Sequence, residues 1–289
     1  PGGLIGDLTD IDRSPIPILT TGDLRRYAPF WENHKYLAPC QAGCPTGIPV
    51  RERWELIRKG DIEGAAALGL SYPPFPATIC GYLCPNLCMD ACTRKQKKLP
   101  AIDVTLLGQA SENAKEPDPA RSTGKKIAII GGGPAGLSAA WHLWMKGHEP
   151  VVFDYSEAPG GKIARAIPES RFPQEVFEKE LQRLSQKISF KTLSKKIDND
   201  LFLEMRDSYS FMIIAVGADV SRKLNIPGSD QAIGALDFLR KAKCRSSESD
   251  VQLDVRVGKK VVIIGAGNVG CDAATEAHRL GAREITLID

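Results

Sequence analysis

The stretch Lys126-Ile-Ala-Ile-Ile130-Gly131-Gly-Gly133-Pro134-Ala135-Gly136-Leu-Ser-Ala-Ala-Trp-His-Leu-Trp-Met145 decides the fold of this chain. The apolar run Lys126–Ile130 reads as a buried strand. The residues from Pro134 to Met145 read as a helix that starts on a proline and stops at Gly147. Pro150–Phe153 reads as a second strand, closing a βαβ unit. Between the first strand and the helix stand Gly131, Gly133 and Gly136, each wanted for a different reason. The first makes a tight turn, the second lets backbone approach a pyrophosphate, and the third lets helix and strand pack closely. Pro134 and Ala135, in the first helical turn, face the same phosphate position. Asp154 ends the second strand, where a carboxylate accepts hydrogen bonds from a ribose. A lone G-x-G-x-x-G can be a merely structural turn, whereas strand, helix, strand and terminal acid together specify a dinucleotide site.

The same grammar returns further along. Val261–Ile264 reads as a strand, Asn268–Leu280 as a helix stopped at Gly281, and Glu284–Ile288 as a strand. Gly265, Gly267 and Gly270 repeat the fingerprint, Asn268 opens the helix, and Asp289 occupies the place of Asp154. An acid there favours the free 2′-hydroxyl of NAD over the phosphate of NADP. Two copies imply two dinucleotide sites. Between them Phe211–Val216 reads as a further buried strand, and residues 241–258 as a polar connector.

Upstream of the first unit the character differs. Residues 115–125, with Pro117, Pro119 and Gly124, read as a linker. Residues 36–114 read as a small α-helical domain, helical from Pro49, broken at Gly60, resumed over Ala65–Leu70, and interrupted by Tyr72-Pro-Pro-Phe-Pro76. Residues 1–35 alternate turn formers with short apolar pieces and read as an extended arm. Six of the eight cysteines, Cys40, Cys44, Cys80, Cys84, Cys88 and Cys92, fall in the helical segment. That local cluster beside dinucleotide motifs points to thiolates kept for metal in a reducing cytoplasm rather than to a disulfide framework. The last four recur every fourth residue, so one unbroken helix would line them up as an apolar stripe, and Pro85 argues against such a helix. Iron–sulfur ligation, four thiolates on zinc, and simple packing are the readings the spacing leaves open. Cys244 and Cys271 stand apart and carry no redox role, and no C-x-x-C dithiol occurs in the dinucleotide segments.

With 289 residues, 43% hydrophobic and 25% charged, the chain can bury about two cores of ordinary composition. A formal net charge of +3 calls for no nucleic acid or anionic membrane surface. No apolar run reaches the roughly 18 residues of a membrane span. Arg94-Lys-Gln-Lys-Lys98 reads as a solvated basic face, and His142, His148 and His278 as surface or packing residues.

Taken together, the sequence resembles the small, electron-input subunit of bacterial glutamate synthase, which is similar to the N-terminal half of dihydropyrimidine dehydrogenase. The resemblance runs from about Ala38 to the end. It is carried by Cys40-Gln-Ala-Gly-Cys44-Pro-Thr-Gly-Ile-Pro49, Cys80-Gly-Tyr-Leu-Cys84-Pro-Asn-Leu-Cys88 with Cys92, Gly131–Gly136, Gly160-Gly161, Ile167-Pro-Glu-Ser-Arg-Phe-Pro173, Ala215-Val-Gly217 and Ile226-Pro-Gly228. It implies a multi-domain fold. An α-helical [4Fe–4S] domain would precede an α/β Rossmann-like FAD domain over residues 126–240, and an inserted NAD(P)-binding unit would begin over residues 259–289. It implies FAD contacts from Gly131, Gly133, Gly136, Asp154 and Gly161, joined by Lys162, with Gly217 at the neighbouring strand turn. Gly265, Gly267, Asn268, Gly270 and Asp289 would meet the nicotinamide nucleotide. Cys44, Cys84, Cys88 and Gln109 would hold one [4Fe–4S] cluster, and Cys40 with Cys92 would supply half of a second. The family's further C-x-x-C is absent ahead of Cys40, where the chain reads Pro29-Phe-Trp-Glu-Asn-His-Lys-Tyr-Leu-Ala-Pro39. Two clusters need eight ligands, and the six cysteines with Gln109 supply seven, so one cluster is the expected count. A second would draw on His34, Glu32, Asp90 or a partner residue. The resemblance implies electron flow among NAD(P)H, FAD, the cluster and a larger catalytic or electron-accepting subunit, with no acid or base catalyst. Because the family's FAD domain closes with a later return segment, the chain is expected to be a fragment, and a cluster-holding docking module is the alternative reading.

Overall fold

The computed structural model describes residues 37–193, 197–218, 220, 224–244 and 257–289. The arm expected over residues 1–35, with Glu32 and His34, lies outside the described residues, as does most of the connector. The described residues divide into two compact units, one of residues 37–72 with 84–115 and the other of residues 73–83 with the described residues from 116 onward.

The first unit is built of short helices: α1 (Pro39–Ala42), α2 (Val50–Arg58), α3 (Ile62–Leu70), α4 (Leu87–Asp90) and α5 (Val104–Gln109). Asp61 starts α3 by accepting the Gly64 amide at 2.8 Å, and Asp103 starts α5 by accepting the Thr105 amide at 2.9 Å. The core is made of small and medium residues: Val50, Ala65, Ala66, Leu70, Val104 and Leu107 are buried. Helices this short do not hold themselves in water and depend on that packing. A 3₁₀ turn, Thr93–Lys97, carries Arg94 and Lys95 on the surface.

The second unit holds a parallel sheet of β1 (Lys126–Ile130), β2 (Glu149–Asp154), β3 (Ser189–Thr192) and β4 (Phe211–Ile214) in the order β3-β2-β1-β4. Ile127 pairs with Pro150 on one side and Phe211 on the other, which places β1 in the middle. Alternation along β1 sends Ala128 and Ile130 to one face, where they cluster with Phe153 and Met205. Met205 lies on α9 (Asn199–Ser208), and the preceding helices are α6 (Pro134–Met145), α7 (Gly161–Arg165) and α8 (Gln174–Ser185). Leu137 and Trp141 of α6, the helix that packs on β1 and β2, are fully buried.

Two expectations need correction. The strand beginning at Phe211 is not a buried one: it forms an edge, paired to β1 alone among the described strands, and Phe211 and Ile214 are 63% and 64% exposed. Residues 73–83, read with the helical segment, pack with the sheet unit. Phe75 meets Phe177 of α8 with ring centroids 5.5 Å apart, and Pro76, Ala77 and Thr78 are buried. There the chain makes a short helical turn, Pro76–Thr78, that runs into a π-helical turn, Ile79–Leu83. Their amides explain the docking: Glu180 of α8, wholly buried, accepts the Ala77 and Thr78 N–H groups at 2.9 Å each.

The unit continues through α10 (Ala235–Cys244), which runs four residues into the stretch read as connector because Leu239 and Ala242 bury one side of it. It ends with β5 (Lys260–Ile264), α11 (Asn268–Arg279) and β6 (Glu284–Ile288), the two strands parallel and in register from Lys260 with Glu284. Among the described residues no helix is long and apolar enough to cross a membrane.

Candidate functional site

The first glycine turn is held from three sides. The Gly131 amide donates to Phe153 O at 2.7 Å, drawing the turn across the end of β2. Gly131 has φ +114°, and a Cβ there would lie 2.3 Å from Ala215 O, so only glycine fits. A Cβ on Gly136 would stand 1.9 Å from Gly131 O, which is the close helix–strand approach that the third glycine permits. Gly133 caps α6 without a side chain, and the first turn, Pro134 and Ala135, is exposed. Its N–H groups and the positive end of the helix dipole therefore face outward at the turn, the arrangement that binds phosphate. Gly161, φ +55°, sits against Gly133, where a Cβ would come within 2.7 Å of the Gly133 Cα. Two backbones thus line the floor of a cradle with no side chain on it, a fit for a pyrophosphate.

Asp154 stands where the fingerprint requires it, and its carboxylate also braces the turn. One oxygen accepts the Gly132 amide at 2.5 Å and the other the Ser156 amide at 2.8 Å. Each oxygen keeps a second lone pair for a ribose hydroxyl. Lys162 Nζ donates to Ala218 O at 2.5 Å, next to Gly217, whose φ is +73°. These residues gather at the carboxyl end of the sheet, beside its central strand.

The second turn reproduces the first. The Gly265 amide donates to Ile288 O at 2.7 Å, a Cβ on Gly270 would stand 1.9 Å from Gly265 O, and Gly267 caps α11. Asp289 accepts the Ala266 amide at 3.3 Å, and Asn268 is exposed at the helix start. One difference matters: a Cβ on Gly265 would meet nothing within 4 Å, since no described strand runs where β4 closes on Gly131. Charged side chains hold the flanks of α10 and α11. Arg171 meets Asp272 at 2.5 Å, and Lys243 donates to Ile163 O and Ile167 O while lying over the Phe172 ring. Burial pushes the Lys243 amine below its ordinary value.

In the helical unit the backbone brings cysteines from two segments together. Gly43 packs α1 against α4: a Cβ there would stand 3.1 Å from the Ala91 Cβ. Asn86, at φ +59°, ends the stripe of fourth-residue spacing before α4 and turns its amide onto Cys84 Sγ at 3.3 Å. A backbone N–H on a thiolate sulfur is a contact that tunes iron–sulfur sites. Burial pushes the Cys88 thiol up to about 11, with Cys44 and Cys84 adding to the rise. Burial likewise raises Cys40, with Cys92 contributing. For Cys44, burial is outweighed by hydrogen bonds from Thr46, Ile48 and Gly47, which lower it. Gln109 ends α5, half-buried. Cys80 lies in the π-helical turn that packs with the sheet unit, and Asp90 is exposed and paired with Lys95 at 3.2 Å. Among the described residues no three His, Cys, Asp or Glu side chains are grouped to grip one metal ion. A cluster presents a separate iron to each ligand and does not demand that convergence. Sequence reasoning passed over the buried charges Glu180 and Arg53, which carry no local signal because their partners are far away in the chain.

Residues 125–289 match the family described as pyridine nucleotide-disulphide oxidoreductase, and residues 35–116 match dihydropyrimidine dehydrogenase domain II, 4Fe-4S cluster. The chain is 30% identical over 268 residues to the NADPH-Fe(3+) oxidoreductase subunit beta of Geobacter sulfurreducens, covering 88% of this chain and 39% of that one. It is 33% identical over 263 residues to the glutamate synthase [NADPH] small chain of Mycobacterium tuberculosis, covering 84% and 53%. To the NAD-dependent dihydropyrimidine dehydrogenase subunit PreT of Escherichia coli it is 28% identical over 260 residues, covering 87% and 61%. The chain thus spans about half the length of the curated relatives it matches. Two glycine turns with terminal acids, preceded by a cysteine-bearing helical unit that matches a 4Fe-4S cluster domain, place it: the chain belongs to the pyridine nucleotide-disulphide oxidoreductase family.

Proposed function

We propose that this chain is the electron-input module of an NAD(P)H-dependent oxidoreductase working with a larger electron-accepting subunit in the cytoplasm. The observation that carries this reading is the joint presence of two glycine turns of one geometry and a helical unit that contains Cys40, Cys44, Cys84, Cys88 and Cys92. In this reading Gly131, Gly133, Pro134, Ala135, Gly136 and Gly161 hold the pyrophosphate of FAD, Asp154 orients its ribose, and Lys162 and Gly217 border the site. Gly265, Gly267, Asn268, Gly270 and Asp289 receive the nicotinamide nucleotide. Cys44, Cys84, Cys88 and Gln109 ligate a [4Fe–4S] cluster, and Cys40 and Cys92 are half of a site that two further ligands would complete. Bound together, flavin and cluster supply the conversion of a two-electron hydride into single electrons. The chain's own residues bind and orient these groups and exclude water, and none is required as an acid or base. Asp289, one residue past β6 with its carboxylate on the Ala266 amide, favours the free 2′-hydroxyl of NAD, which is named for the third relative, over the NADPH named for the other two.

The test is anaerobic determination of iron, acid-labile sulfide and flavin per chain, with visible spectra before and after NADPH or NADH. About four irons and four sulfides, with flavin bleached by one of the nucleotides, are expected for a single cluster. Zinc without sulfide, or flavin indifferent to both nucleotides, overturns the reading.

A further inference from the structure

Gln109 stands at a change of helix pitch. Helix α5 ends on it, and a 3₁₀ turn, Ala110–Asn113, begins at the next residue. The 3₁₀ turn shifts every hydrogen bond by one residue. Here a single side chain brackets the break. Arg53, on α2 and 2% exposed, donates from Nη2 to Leu107 O and to Ser111 Oγ, both at 2.8 Å. The Ser111 hydroxyl donates in turn to Leu107 O at 2.9 Å. Leu107 lies two residues before Gln109 and Ser111 two residues after it. From its other side the guanidinium donates Nε to Ala65 O of α3 at 2.7 Å. Room for it is made by Gly69, where a Cβ would stand 2.7 Å from Arg53 Cζ. Leu107, Gly108 and Ser111 are buried, while Gln109 between them is only half-buried.

We propose that Arg53 is the positioning residue for Gln109, locking the residues on both sides of it so that its amide is presented in one direction as the non-cysteine ligand of the cluster site. This rests on the reading of Gln109 as a ligand. Tying three short helices together would not by itself call for a guanidinium, since an apolar side chain fills such a core without the cost of desolvating a charge. What the planar fork adds is direction: several fixed N–H vectors hold a carbonyl and a hydroxyl four residues apart at once, which an ammonium on a flexible stem cannot do. A neutral amide is a weak iron ligand beside thiolate, so its placement has to be set in advance, to within about 0.5 Å.

The test uses the full chain loaded anaerobically with iron and sulfide and reduced with dithionite. The EPR spectrum and cluster midpoint potential are measured with a thermal melt for Gln109→Ala, Arg53→Lys, Ser111→Ala and the double variant Arg53→Lys/Gln109→Ala. Gln109→Ala is expected to change the spectrum and potential. Arg53→Lys and Ser111→Ala are expected to shift both in the same direction by less, and the double variant to match Gln109→Ala alone. Parental spectra and potentials in Arg53→Lys and Ser111→Ala, whatever their melting temperatures, would make Arg53 purely structural and overturn the inference while leaving Gln109 a ligand. An unchanged spectrum in Gln109→Ala would remove the ligand reading itself. If Arg53→Lys yields no folded protein, Ser111→Ala decides, since it deletes one arm of the bracket and no charge.

Discussion

Replacing Glu180 by leucine should loosen residues 73–83 from the sheet unit. The carboxylate is wholly buried and accepts two backbone amides, Ala77 and Thr78, with Arg183 at 3.9 Å. Leucine conserves most of the volume and leaves both N–H groups buried with no carboxylate to accept them. Each stranded donor costs about 1–3 kcal/mol, so the pair sums to about 4 kcal/mol. In a unit of this size each kcal/mol moves the melting temperature by about 2–4 °C, which predicts a fall of roughly 8–16 °C. The decisive assay is hydrogen exchange read at individual amides. Ala77 and Thr78 should lose protection by about two to three powers of ten, while the β1 amides change only as global stability does. If those two amides keep their parental exchange and the melt moves by less than about 3 °C, Glu180 is not what holds the segment, and the apolar contact of Phe75 with Phe177 is.

The same carboxylate predicts a pH effect. Burial holds its pKa above the ordinary 4.5, outweighing the opposing pull of Thr78, the Ala77 amide and Arg183. The folded state therefore binds the proton more tightly than the unfolded one, and the stability this contributes is full below 4.5 and is lost as pH rises through the folded value. Urea midpoints across that window should fall with pH in the parent and stay flatter in Glu180→Gln. Gly161→Ala places a Cβ 2.7 Å from the Gly133 Cα at a φ of +55°, and should weaken flavin retention at least tenfold, measured as FAD lost on desalting. Arg171→Met should cost no more than about 1 kcal/mol in urea, because its pair with Asp272 is partly solvent-exposed.

What could be seen in the sequence follows from how local its causes are. Helix α6 runs from Pro134 to Met145 as expected, because a proline sets its start and Gly147 its stop within the segment itself. Both glycine turns were legible for the same reason: the clash that forbids a Cβ on Gly136 or Gly270 involves an atom five residues away. Strand β3, Ser-Phe-Lys-Thr, gave no signal because an edge strand half in water needs no apolar run. The apolar Phe211–Ile214 run misled in the opposite sense, since its composition suits a central strand and its position is an edge. Residues 73–83 were assigned by sequence adjacency, whereas their packing is decided by Phe177 and Glu180, about a hundred residues later.

That distinction also separates the two parts of the candidate site. The dinucleotide turns are backbone sites, made by what glycine omits, so their geometry is written into a six-residue spacing and repeats when the spacing repeats. The cysteine site is a side-chain site whose arrangement depends on Gly43 letting α1 close on α4 and on Asn86 breaking the stripe. Spacing could name its cysteines but could not say which of them share an environment. That Cys44 lies near Cys88, and Cys40 near Cys92, is tertiary information. The same holds for the bracket that Arg53 places around Gln109, whose partners lie 12, 54 and 58 residues along the chain. An arginine on a short polar helix reads as solvent-facing until α3 and α5 are folded over it. The residues that set a ligand's direction are therefore the last to be legible from sequence, and in this chain they are where mutation and spectroscopy will discriminate most.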